Sequence, residues 1–172
     1  MNHSGSYRRF GLMIATSAIL MFGLMYLNTY AVPHVHWSET RFFMTLIMAA
    51  AMAVVMLSFM LHMYKNARLN LAIYTGSTLL FVAALFLVRS QVTVGDKAYM
   101  EGMIPHHSIA IMTSERAGIE DVRVRKLADE ILQAQKIEIA EMEWLLDDIS
   151  RNGKATTPEE AAARPVPEFS AD

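Results

Sequence analysis

Three long stretches without a charged side chain constrain this chain more than any other feature. No Asp, Glu, Lys or Arg occurs between Arg9 and Glu39, between Arg41 and Lys65, or between Arg68 and Arg89. A helix needs about 20 mostly apolar residues to cross a bilayer, and each gap supplies such a run. Spans are expected at 10–32, 42–64 and 69–88, inside a membrane domain 10–89 that follows a short segment 1–9. The third run contains Asn70, Thr75, Gly76, Ser77 and Thr78, so that side of it is expected to pack against protein rather than lipid.

The cations set the expected orientation. Arg8 and Arg9 precede the first run, and Lys65 and Arg68 fill the turn between the second and third. Positive loops stay on the cytoplasmic side, which puts segment 1–9 inside and the C-terminal third outside. If the first run were instead a cleaved signal peptide ending at the small residue of "TYA", the C-terminal third would still be outside. The absence of cysteine excludes disulfides, zinc–thiolate sites and thiol nucleophiles. A net charge of −2 gives no electrostatic case for nucleic acid as a partner.

After Arg89 the composition changes. "SQVTVG", 90–95, reads as a linker. Asp96 is a candidate N-cap for a helix to about Ala117, with a kink or restart at Pro105 and Gly118 as C-cap. A second helix is expected from Glu120 or Asp121 to about Ser150, closed by Asn152 and Gly153. The tail, 153–172, is rich in Pro, Ala and Glu and reads as disordered. The hairpin 96–152 cannot enclose a sizeable core alone. It is expected to pair with a second copy, as a homodimer or higher oligomer, into a four-helix bundle. The fold class is all-α: three transmembrane helices followed by an exposed helical hairpin.

The chemistry concentrates in "YMEGMIPHHSIAIM", 99–112. Helical spacing brings Tyr99, Met103, His106, Ala110, Ser114 and Ala117 close to one line, with Met100 and His107 beside it. On the second helix the apolar stripe is Val124, Leu127, Ile131, Ala134, Met142, Leu145 and Ile149. Gln135 and Glu138 fall inside that stripe, where a carboxylate needs a partner or a ligand. One reading is a core histidine hydrogen-bonded to Glu138. The other is a metal site, because thioethers with imidazole and no thiolate suit Cu(I) or Ag(I). Zinc and iron fit less well: zinc has little use for Met, and the Glu-x-x-His pairs of di-iron bundles are absent, since Ile104 stands three after Glu101.

"MIPHHSIAIM" and "LADEILQAQKIEIAEMEWL" resemble a bacterial family catalogued as domain of unknown function 305. The resemblance rests on Met103, His106 and His107, then on Gln135, Glu138, Ile139 and Met142, and covers about residues 95–150. It implies a ferritin-like fold and, as in some periplasmic members, Cu(I) or Ag(I) binding through Met and His in copper resistance. Those members often carry two helix pairs per chain; this sequence has one, which adds to the case for a dimer.

Met103 and His107, one helical turn apart, are the expected centre of the site, with His106, Met100 and Met142 as further ligands. Gln135 and Glu138 are expected outside the ligand set, Glu138 orienting an imidazole. His34 and His36 of "VPHVHW", and Met112, are possible auxiliary ligands. The second run also carries Met44, Met48, Met52, Met56 and Met60, which read either as adaptable packing or as a thioether ladder. The functional expectation is a multi-pass bacterial inner-membrane protein whose partners are lipid, a soft metal ion and its own copy, without catalysis. The competing readings are a structural or interaction protein with a polar core network, and a small metalloenzyme.

Overall fold

The computed structural model describes residues 3–171; Met1 and Asn2 of the expected N-terminal segment, and Asp172 of the expected tail, lie outside the described residues. The regular structure of the described residues is all helical, with no strand: α1 His3–Leu24, a 3-10 turn Val32–His34, α2 Glu39–Phe59, α3 Ala67–Ser90, α4 Asp96–Arg116, α5 Val122–Asn152 and a short α6 Pro158–Ala163. They form two compact units: Met1–Leu27 with Ser38–Val94, and Asn28–Trp37 with Gly95–Asp172.

In the first unit, α2 begins at Ser38, whose side chain accepts from the Arg41 N–H, and Glu39 stands in the first turn, where the helix dipole favours an anion. Asn66 caps α3 by accepting from Arg68 and Leu69, and Gln91 ends it in the left-handed region at φ 54°. The three helices meet around Phe10, Ala53, Leu57 and Tyr64, with Met56 and Met60 packed against them. Those two methionines therefore serve as core packing. Of the small and polar residues expected to face protein on α3, Asn70 donates to the Tyr64 carbonyl and accepts from Tyr7, whereas Thr75, Gly76 and Thr78 are exposed.

Among the described residues two helices, α2 and α3, are long and apolar enough to cross a membrane, not three. The expected span 10–32 fails because α1 starts early and stops early: it includes Arg8 and Arg9 and ends at Leu24. Its charge-free part from Phe10 rises only about 22 Å, against a hydrocarbon core of about 30 Å. Beyond Leu24 the chain tightens into turns, with Tyr26 N–H bonded to the Gly23 carbonyl and Leu27 N–H to that of Leu24, and then leaves for the second unit.

The second unit is an antiparallel hairpin of α4 and α5 with the strap Asn28–Trp37 laid on it. Gly95, not Asp96, is the N-cap of α4, and Asp96 occupies the first turn. Pro105 lies inside a helix that stays continuous from Asp96 to Arg116, so the expected restart does not occur. The ring forfeits one backbone bond, and in return Pro105 is fully buried. Asp121 caps α5 by accepting from Arg123 N–H, and Gly153, at φ 77°, ends it after Asn152, at the pair expected to close it.

The tail departs from the expected disorder. Thr157 and Glu160 form a reciprocal capping box at the start of α6. Arg164 pairs with Asp148 on α5, and Lys154 pairs with Asp96 on α4. These side chains tie a Pro- and Ala-rich segment to the hairpin, an effect that composition alone does not register.

Candidate functional site

The core of the hairpin is a cluster of Met100, Ile104, Ile111, Ile139 and Met142, with Met103, Leu145, Leu146 and Ile149 packed against it. Three of the expected ligands, Met100, Met103 and Met142, therefore share one cluster. His107 is buried beside it. Its Nδ1 lies 2.9 Å from the Met103 carbonyl oxygen and its Nε2 lies 2.7 Å from Glu138 Oε2. The same Glu138 oxygen accepts from Gln135 Nε2 at 3.2 Å. The Glu138 side chain is 48% exposed and that of His107 11%, so the pair lies at the edge of the core. His107, Gln135 and Glu138 thus meet as one polar network, with both imidazole nitrogens engaged.

His106 is exposed, its ring centroid 5.8 Å from that of His107. Met112 is half-buried and stands outside the core cluster. The inward face of α4 runs through Met100, Ile104, His107, Ser108 and Ile111 rather than along the expected line; Tyr99, His106 and Ala117 on that line are exposed. On α5 the buried positions are Ala128, Ile139 and Met142, while Val124, Leu127 and Ile131 of the expected stripe are exposed, Leu127 by 55%. The physical reason is that, among the described residues, each of the two helices packs along only one other long helix. Each carries more apolar arc than one neighbour covers, so the packed face is only one side of the arc.

His34 and His36 are not a free chelating pair. His34 Nδ1 is 2.9 Å from Ser108 Oγ, and that oxygen also accepts from the Tyr30 N–H at 2.8 Å. Ser108 is completely buried. It is the residue that sequence reasoning missed: a small hydroxyl directly after two histidines gives no periodicity signal, and its partners lie far upstream. Tyr30 and His34 also line a cavity of about 280 Å³ with Ile111, Lys136, Ile139 and Glu143. Glu115 beside the Tyr30 hydroxyl pushes that phenol above its ordinary range.

Among the described residues, no three His, Asp or Glu side chains come together as a group able to hold a metal ion.

The model of a family described as domain of unknown function (DUF305) matches residues 88–168. An uncharacterized protein of Acanthamoeba polyphaga mimivirus is 33% identical over 109 residues, which is 62% of this chain and 70% of that protein. No solved structure is matched. This chain belongs to the DUF305 family.

Proposed function

We propose that the protein is a membrane-anchored binder of soft monovalent metal, Cu(I) or Ag(I), serving metal homeostasis without catalysis. The observation that carries this reading is the gathering of Met100, Met103 and Met142 in one cluster beside His107. Thioethers and imidazole are the donors such ions prefer. Zinc or iron would call for a set of His and carboxylate ligands, which a single chain does not bring together among its described residues. Met100, Met103, His107 and Met142 would hold the ion, with His106 as a further donor; Glu138 and Gln135 would orient His107. The hairpin faces the periplasm of a bacterial inner membrane, with α2 and α3 as its anchor. A second copy covers the exposed Val124, Leu127 and Ile131.

The 2.7 Å contact between His107 and Glu138 favours one competing reading, in which the cluster is a polar core network of a structural or interaction protein. Anaerobic titration of the full chain in detergent with Ag(I), followed by isothermal calorimetry, separates the two. Saturable binding lost in Met103→Leu/His107→Ala supports the metal reading. Equal uptake by parent and double variant, or none by either, leaves the polar network.

A further inference from the structure

One end of the first unit collects positive charge without any negative charge. Tyr7 on α1 donates its hydroxyl to Asn70 Oδ1 at 2.7 Å and accepts the Asn66 backbone N–H at 3.1 Å. Its ring stands edge-on to Tyr64, with centroids 5.0 Å apart. This polar knot joins the first turns of α1 to the turn between α2 and α3. Arg8 and Arg9 follow Tyr7 directly, Lys65 precedes Asn66 and Arg68 comes two later, so the knot draws four cations to one end. All four are exposed.

No acid of the first unit opposes them. Glu39 is the only acidic residue in 1–94, and it sits at the far end of the 21-residue helix α2, bonded to Thr93. That helix is about 30 Å long, several Debye lengths at physiological salt. α3 also begins at this end, with no acid in its first turn, so the positive end of its helix dipole adds to the potential. The same unit carries both helices of membrane-crossing length, which places the cations where lipid headgroups lie.

We propose that the end formed by Tyr7, Arg8, Arg9, Lys65, Asn66 and Arg68 binds the phosphate of anionic phospholipids in preference to zwitterionic ones. The Tyr7–Asn66–Asn70 knot holds the two basic pairs together, and the cations supply the attraction. A juxtamembrane Lys or Arg contributes enough for about fivefold in affinity for an anionic surface, so four acting together set a marked preference.

The test is native mass spectrometry of the full chain in mild detergent, with phosphatidylglycerol and phosphatidylcholine of matched acyl chains competing for it. Wild type is expected to retain phosphatidylglycerol selectively, and the preference is expected to weaken as ionic strength rises. Each of Arg8→Gln, Arg9→Gln, Lys65→Gln and Arg68→Gln should lower the preference by about fivefold, and the fourfold variant should bind the two lipids alike. Tyr7→Phe should reduce the preference with every charge in place. Arg123→Gln/Arg151→Gln, on α5, should leave it unchanged. A fourfold variant that keeps the full preference, or a wild-type preference indifferent to salt, overturns the proposal. Displacement of the lipid by equimolar inorganic phosphate would also overturn it, because the site would then be one for a free anion.

Discussion

His107 lies between two acceptors: the Met103 carbonyl at 2.9 Å from Nδ1 and the Glu138 carboxyl at 2.7 Å from Nε2. A carbonyl only accepts, so Nδ1 carries a hydrogen. The proton between Nε2 and Glu138 then belongs to the pair, whichever atom holds it. Neither nitrogen offers a free lone pair in this arrangement, so a metal ion bound by His107 must displace one of these two partners.

Glu138→Gln keeps a side chain able to hydrogen-bond Nε2 but loosens its hold. If the metal reading is right, Ag(I) affinity measured by calorimetry falls about 10–100-fold, as is typical when a partner orienting a ligand is lost. His107→Ala and Met103→Leu reduce it further while circular dichroism shows the helices intact.

Ser108→Ala removes the buried hydroxyl that accepts from the Tyr30 N–H. Losing a typical hydrogen bond costs about 0.5–1.5 kcal/mol. Thermal unfolding of the full chain should register that loss, and the Tyr30 amide should exchange with solvent much faster. Ser108→Thr, which keeps a hydroxyl, should restore the protection if the extra methyl is accommodated; an unchanged Tyr30 exchange rate in Ser108→Ala would show that the strap is held by other contacts.

The apolar strip on α5 gives a test of assembly. Leu127→Glu/Ile131→Glu should convert the proposed dimer to monomer, read by light scattering in detergent, with little effect on the melting temperature of the hairpin itself, because both positions are exposed in one chain. A parent protein that is already monomeric would remove the second copy from the scheme.

Acid should release the tail before it unwinds the hairpin. The bonds from Asn152 and Arg164 lower the pKa of Asp148, and those from Lys154 lower that of Asp96. A carboxylate with a lowered pKa stabilises the fold above its ordinary value, about 3.9, and loses that contribution as pH falls through the folded value. Asp121, held at about 2 by Arg123, keeps capping α5 for longest. Between pH ~4 and ~2, amide resonances of 158–163 should collapse toward random-coil positions while far-ultraviolet dichroism of the long helices persists. Arg164→Ala should produce the same tail release near neutral pH.

Much of the helical layout was legible from charge gaps and periodicity. α2, α3, α4 and α5 lie close to the stretches those signals marked, because long apolar runs and capping residues act locally. The end of α1 was not legible: 10–32 carries no charge to mark a stop, and the engagement of Asn28–Trp37 with α4 is a tertiary contact. That Glu138 needs a histidine partner follows from the cost of a carboxylate in an apolar stripe; that the partner is His107 rather than His106 does not, and the structure supplies it. Which half of each apolar arc is covered was not legible, since Leu127 and Ile139 are equally hydrophobic and only the neighbouring helix distinguishes them. α6 escaped for a related reason: its anchors, Arg164 on Asp148 and Lys154 on Asp96, are tertiary.

The strap has a consequence for how the chain is made. His34 and its partner Ser108 are 74 residues apart. At about 5–20 residues per second, translation delivers the second only some 4–15 s after the first. Through that interval α2 and α3 are synthesised while the Tyr30 N–H and the His34 ring have no Ser108 to meet. The hairpin is thus a discontinuous unit, and a fragment starting at Asp96 would leave the factory with a buried serine uncovered.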